Sequence, residues 1–216
     1  MLISTEKKFI FVHVPKTAGT SVTTMLSPHC LMPERTSFRR VLSHLPVPED
    51  PYKAFMRKHD KAWWLKIKLP RKMFDTYLKF AVVRNPFDYA VSYYFYTRRN
   101  VTHSRHKMAM RSTFSEYLRA MGRKNWLTPV TQHSWLTDFS GQRIIVDRVL
   151  RFETLHDDLS ALCAELGIDM DMPHSNSSSH THYSAYYSED DRAFAERLFR
   201  RDLEMFDYSF EKAPRA

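Results

Sequence analysis

Several things are scarce in this chain, and each scarcity excludes something. There are only two cysteines in 216 residues, Cys30 and Cys163, far apart and in no CxxC pair. That argues against a disulfide framework and against a zinc site. No apolar run approaches the roughly 20 residues needed to span a bilayer, and Met1 to Lys8 is polar with no hydrophobic core of a signal peptide. The expectation is a cytoplasmic protein without a membrane span. Acidic residues are outnumbered, 24 against 33 Lys and Arg, giving a net charge of +9. The excess favours an anionic partner, whether nucleotide, nucleic acid or acidic glycan, and does not choose among them. Glycine is rare as well, four in all, and one of them is Gly19 in the stretch that organises the rest.

What is present is a globular composition, 43% apolar and 14% aromatic, long enough for a single domain over residues 1–216. Phe9 to Val14 reads as a buried strand and runs into the turn Pro15-Lys16-Thr17-Ala18-Gly19-Thr20-Ser21, after which Ser21 to Leu26 suits a helix. In a strand, small-residue turn and helix, backbone N–H groups and the helix N-terminus face one anion. Lys16 adds positive charge, and Thr17, Thr20 and Ser21 add hydroxyls. The stretch reads as a phosphate-binding loop. It is not a Walker A sequence, because the lysine comes first and not before the final hydroxyl.

Further along, Phe38 to Ser43 reads as a short strand delivering His44, and Pro51 as the opening of a helix from Tyr52 to His59. Lys53 to Lys72 carries eight Lys/Arg against a single acid, Asp60, with Trp63 and Trp64 among them. Leu78 to Val83 is a second strong strand ending at Arg84. Asn85 suits an N-cap, Pro86 a first helical position and Asp88 a first turn, so a helix to about Arg99 follows. Thr97 to Ser112 has five Lys/Arg and no acid, and reads as an exposed basic loop. Thr113 with Glu116 forms a capping box for a helix ended by Gly122. A short helix over Pro129 to Leu136 and a strand over Arg143 to Phe152 come next. A helix from Leu155 to Leu166 is stopped by Gly167, and Ser188 caps a last helix to Phe206. Alternating strands and helices imply an α/β fold with a mainly parallel sheet covered on both faces, ligands binding at the carboxyl ends of the strands.

Arg84, at a strand end, and Ser92, two turns into the next helix, form a second constellation. An arginine fork with a hydroxyl suits a phosphate monoester. Together with the first loop, these residues resemble the sulfotransferases that use 3′-phosphoadenosine 5′-phosphosulfate (PAPS). Pro15 to Ser21 is similar to that family's 5′-phosphosulfate loop, and Arg84-Asn85-Pro86-Phe87-Asp88-Tyr89-Ala90-Val91-Ser92 to its 3′-phosphate element. The carbohydrate branch, with heparan 2-O-sulfotransferases and many short bacterial proteins, resembles it best. Gln132 to Leu136, Arg151 to Leu155 with Asp158, His174-Ser175-Asn176 and Asp202 to Tyr208 fit as well. The chain departs from the family in Ala18, where glycine is frequent and alanine is tolerated if φ is negative, and in Tyr89, where arginine is common. Its soluble bacterial members fit best, since no N-terminal span is present.

The resemblance implies a three-layer fold like that of P-loop NTPases and in-line transfer of a sulfuryl group from PAPS to a hydroxyl, leaving the bisphosphate PAP. The acceptor is expected to be a carbohydrate, possibly an anionic one, and not a nucleic acid. Lys16 would stabilise the leaving phosphate, with Thr17, Ala18, Gly19, Thr20 and Ser21 around the donor. His44 would be the general base, as a neutral imidazole near pH 7. His13, in the strand, reads as packed and structural. The adenine would meet the stretch from Asn176 to Tyr183. His180 and His182 have no third ligand pattern, so no metal is expected. Two other readings stand beside this one. Ile144-Ile145-Val146-Asp147 imitates the magnesium strand of a nucleotide kinase or NTPase. A non-catalytic polyanion-binding module is the other. The acceptor's identity and the oligomeric state are not legible.

Overall fold

The computed structural model describes residues 1–32, 36–48, 50–52, 57–123, 130–170 and 181–211. Its sheet comprises β1 (Leu2–Ser4), β2 (Phe9–Val12), β3 (Leu78–Val83) and β4 (Arg148–Arg151), in that spatial order. The helices in chain order are α1 (Gly19–Leu26), α2 (Ser37–Leu42), α3 (Ala62–Lys68), α4 (Arg71–Thr76), α5 (Pro86–Arg99) and α6 (His106–Arg111). They continue with α7 (Phe114–Met121), α8 (His133–Leu136), α9 (Leu155–Leu166), α10 (Glu189–Leu198) and α11 (Arg200–Phe206). Tertiary contacts group Met1–Val83 with His133–Ser175 in one compact unit, and Arg84–Gln132 with Asn176–Ala216 in another.

The first unit holds the sheet. β2 and β3 are parallel, Phe9 opposite Leu78 and Val12 opposite Ala81, and β4 continues the parallel pairing with Arg148 opposite Phe80. Phe9, Phe11, Phe80, Val82 and Leu150 share a core with Val22 and Leu26 of α1 and with Leu155, Leu159 and Leu162 of α9. Residues of the other face, Ile10, Val12, Ala81 and Val83, are buried too. Burial on both faces is why these strands are continuous apolar runs without polar alternation. Fully burying one such phenylalanine is worth about 2 kcal/mol, so the sheet's core fixes the loops at its edges. The α/β expectation with a mainly parallel, helix-flanked sheet holds. β1 was not foreseen: it pairs antiparallel at the edge, Leu2 opposite Phe11, after a turn that bends at Lys8 (φ 53°).

Three expected elements differ. Phe38 to Ser43 is not a strand: Thr36 accepts the Arg39 N–H and starts α2, so an N-cap outweighs the local strand propensity. The strand expected over Arg143 to Phe152 is only β4. Before it, Thr137 and Ile144 form an antiparallel bridge, and at the start of β3 Asp147 donates its N–H to the Lys79 carbonyl and accepts the Lys79 N–H on its carboxylate. The last helix divides at Phe199, whose φ of −100° turns its fully buried ring inward. The helix expected over Tyr52 to His59 falls partly outside the described residues; Tyr52, Lys58 and His59 lie in turns.

In the second unit α5 is central. Asn85 caps it through the Phe87 N–H, Pro86 occupies the first position, and the helix runs to Arg99 as expected. Around it pack α6, α7 and the 3₁₀ turn Tyr183–Tyr186, with α10 against α7 and α11. The basic stretch Thr97 to Ser112 is therefore not all loop: Ala109 of α6 is fully buried. The capping boxes at Thr113/Glu116 and Ser188/Asp191 both form.

Candidate functional site

In the first unit, β2 ends at Val12, and the chain passes through Pro15 to Ser21 into α1. Lys16 (φ 64°) and Ala18 (φ 58°) are both left-handed, with Thr17 between them. Such alternation turns successive N–H groups toward one point, an anion-binding concavity at a helix N-terminus. The fully buried Thr17 donates its hydroxyl to the Val14 carbonyl at 3.1 Å, which locks the loop's bend. No acid occupies the first turn of α1, so nothing there competes with a bound anion. Thr20 and Ser21 stay exposed. The condition under which alanine is tolerated at position 18, a negative φ, is not met: at φ 58° the residue carries the strain that a glycine would avoid.

Beneath the loop lies His13, and it is more than a packed strand residue. A Cβ on Gly19 would overlap its imidazole, so the ring fills the space that only glycine leaves. Its Nδ1 is buried with no hydrogen-bond partner among the described residues. Burial, with His59 second, drives its pKa down to about 2, so it is neutral.

His59 is the residue the sequence reading passed over. Its ring lies 4.5 Å from that of His13, and its Nδ1 is 3.0 Å from the His13 carbonyl. A carbonyl only accepts, so Nδ1 carries the proton and Nε2 keeps its lone pair. Burial lowers the His59 pKa below 6.5, against the raising effect of that hydrogen bond. Next to it, Lys58 Nζ reaches Thr20 Oγ1 at 3.5 Å, bringing a second cation to α1's first turn. Arg57 and Asp60 clamp this turn: the Arg57 N–H and Nε–H donate to the Asp60 carboxylate at 2.8 and 2.7 Å. The available signal was the Lys58-His59 pair inside the basic stretch, but nothing in the sequence ties it to the loop.

His44 follows α2, exposed, with Nδ1 2.9 Å from the Arg40 carbonyl. The nearly buried Lys68 donates to the Leu42 and Leu45 carbonyls at 2.8 and 3.1 Å, bracketing it.

The magnesium-strand imitation fails on position. Asp147 precedes β4 and accepts from Lys79 N–H at 2.7 Å and from Lys79 Nζ at 2.8 Å. That is the amino end of the parallel strands, whereas the loop after β2 leaves their carboxyl end.

In the second unit, Arg84 Nε donates to Asp88 Oδ2 at 2.7 Å, and Nη2 lies 2.7 Å from the same oxygen within the ion pair. Asp88 and Ser92 are one turn apart on one face of α5, and Arg84, just before the Asn85 cap, pairs with Asp88. Gln132, fully buried, receives the Arg84 N–H at 2.8 Å and donates to the Arg84 carbonyl at 2.7 Å. Its own N–H goes to Asp202 at 2.8 Å. Two weak sequence fragments thus become the support of Arg84.

Tyr183 has a different job from the one expected. Its ring is buried among Phe87, His182 and Phe210. Its hydroxyl accepts from Asn85 Nδ2 at 3.4 Å and from the Glu211 N–H at 2.7 Å. It therefore helps fix α5's first turn. Asn176 lies outside the described residues. Tyr89 is fully buried beside Tyr93, and that burial raises its phenol pKa, with Tyr93 and the Asp202 carboxylate adding smaller pushes.

The first unit is thus a mainly parallel α/β sheet whose β2 runs through a left-handed loop into α1, and the second carries Arg84, Asp88 and Ser92 at the start of α5. Residues 1–209 match the sulfotransferase family, and the chain belongs to it. The fold is that of mouse sulfotransferase SULT7A1 complexed with PAP, at a TM-score of 0.57, 15% identity, and coverage of 93% of this chain and 86% of that one. A sulfotransferase from Alicyclobacillus acidocaldarius aligns over 93% of this chain and 98% of its own at 19% identity, with a TM-score of 0.37. An uncharacterized protein of Archaeoglobus fulgidus is 27% identical over 108 residues, half of this chain and 82% of that protein. No helix among the described residues is long and apolar enough to cross a membrane.

Proposed function

We propose that this chain moves a sulfuryl group from PAPS to a hydroxyl of a carbohydrate acceptor. The observation that carries this is the loop from Pro15 to Ser21: left-handed at Lys16 and Ala18, closed against His13 at Gly19, and opening α1, in a chain of the sulfotransferase family. The residues fit the donor, because the loop offers N–H groups, hydroxyls and lysines and no acid in the first turn of α1. When bound, PAPS supplies the sulfuryl group and a phosphate as leaving group. Lys16 and the loop N–H groups hold negative charge as it develops on the phosphate side, and Lys58 adds to that field. Arg84, set by Asp88 and Gln132, and Ser92 take the 3′-phosphate.

The acceptor proton needs a neutral base. His44 is the sequence's choice. The geometry favours His59, which lies against His13, keeps Nε2 free of a proton and is held neutral by burial. Replacing either histidine by alanine decides the matter: the base's loss lowers kcat by about 10²–10⁴-fold, and the other's by little.

The test of the whole reading is a thermal shift with PAP, then transfer of label from PAPS to a glycan panel. Stabilisation by PAP, lost in Lys16→Ala, is expected. Stabilisation by ATP with magnesium and not by PAP would move the reading to a nucleotide kinase, which the position of Asp147 disfavours. PAP binding without transfer to any acceptor would leave a polyanion-binding module.

A further inference from the structure

Two segments of the first unit touch through aromatic rings in two successive pairs. His59 meets Trp135 with ring centroids 6.1 Å apart, and four residues further along each segment Trp63 meets Phe139 at 5.3 Å, edge to face. The inner pair leads to the anion loop through His13 and Gly19. The outer pair leads to solvent, where Phe139 is 84% exposed.

Phe139 is not left outside by a slack loop. Asp138 N–H donates to the Arg143 carbonyl and Gly141 N–H to the Asp138 carbonyl, both at 2.9 Å. The Asp138 carboxylate accepts from Ser140 Oγ at 2.7 Å and from the Gln142 N–H at 3.1 Å. Gly141 takes φ 72°, and the Thr137–Ile144 bridge closes the base. The ring is held out on a braced tip, with exposed Ser140, Gln142 and Arg143 at its rim. A pre-organised loop binds without the ordering cost of a mobile one.

We propose that Trp63 and Phe139 form a platform for a pyranose ring of the acceptor, so that an oligosaccharide is engaged there. This rests on the sulfotransferase reading above and names a subsite for it. A pyranose has an apolar C–H face that suits the electron-rich face of an aromatic ring, while its hydroxyls and any carboxylate stay at the wet rim. An aryl or alkyl alcohol needs an enclosed apolar pocket, which a ring 84% exposed does not supply. Gln142 offers an amide to hydroxyls. Arg143, in a chain of net charge +9, offers a fork to a uronate carboxylate, so a uronate-containing glycan is the preferred occupant.

The test uses the full chain saturated with PAP on an array of immobilised uronate-containing, amino-sugar and neutral oligosaccharides. Trp63 provides a second readout, quenching of tryptophan fluorescence by the best array ligand. Wild type should retain uronate-containing glycans. Phe139→Ala should bind them about fivefold more weakly, with an unchanged thermal shift by PAP, and Phe139→Tyr should bind as wild type. Failure of wild type to retain any glycan, or equal retention by Phe139→Ala, overturns the platform while PAP stabilisation leaves the sulfotransferase reading standing. Conversely, Phe139-dependent retention without any PAP stabilisation upholds the platform and sinks the sulfotransferase reading.

Discussion

The imidazole of His13 occupies the space in which a side chain on Gly19 would lie. His13, two residues before the anion loop, and Gly19, the first residue of α1, are thus complementary in shape, which makes the glycine a steric requirement at a place where its φ is ordinary. Gly19→Ala should therefore displace the buried ring and cost about 1–3 kcal/mol by overpacking. Urea unfolding monitors the loss, and the thermal shift by PAP should disappear with it.

Ala18 carries the opposite mismatch. At φ 58° its Cβ crowds the backbone by about 1–2 kcal/mol, while glycine there would regain that strain and lose some unfolded-state restriction. Ala18→Gly should be stabilising by about 0.5–1 kcal/mol, read as a higher midpoint of urea unfolding with an unchanged slope.

Both neutral histidines shape the pH response. Burial lowers their folded pKa values below 6.5, His13 to about 2, so the unfolded chain binds more protons in that range. Stability is then full above about pH 6.5 and falls as the pH drops below it, by up to about 1.4 kcal/mol per unit per histidine. A melting temperature series from pH 8 to 5 should decline on the acid side, less steeply in His13→Gln. If His59 is the base, kcat/KM stays level through pH 6.5 and bends only below it. A bend at 6.5 or above would exclude His59.

Gln132 supports Arg84 through both backbone groups, all of them buried. Gln132→Ala leaves a buried N–H and a buried carbonyl unpaired, at about 1–3 kcal/mol each. Gln132→Glu still accepts from the Arg84 N–H but cannot donate to its carbonyl. Stability should follow the order Gln, Glu, Ala, and PAP affinity should fall in the same order, as isothermal titration would register.

How much of this was legible follows from where each signal resides. β2, β3 and α5 were readable because continuous apolar runs and an Asn-Pro cap are local properties. α2 was misread because Phe38 and Val41 resemble strand residues, yet both are exposed, 72% and 64%, and pack in no sheet. The three-residue β1 exists only through its pairing with β2. The loop and Arg84 stood out in the sequence because phosphate chemistry dictates residue types at short spacing. His59 was missed because its significance lies in contact with His13, 46 residues away, and no local pattern encodes that contact. Gln132 is similar: a buried amide facing the backbone of residue 84 is invisible until the fold closes.

Asp147 separates structure from catalysis most cleanly. Its carboxylate pairs with the nearly buried Lys79 ammonium at 2.8 Å, and that ammonium also donates to the Phe74 and Tyr77 carbonyls at 2.8 and 2.9 Å. Asp147→Asn removes the countercharge but leaves the two carbonyls, so the ammonium keeps partial compensation. The loss should be about 1–3 kcal/mol, below that of an entirely uncompensated buried charge. Because the pair sits at the amino end of the strands, transfer from PAPS should stay within about twofold of wild type at a temperature where the variant is folded. A magnesium-binding aspartate would behave in the reverse way, with little effect on unfolding and loss of turnover. Measuring both quantities on the same variant decides between the two chemistries that an apolar strand near an aspartate evokes.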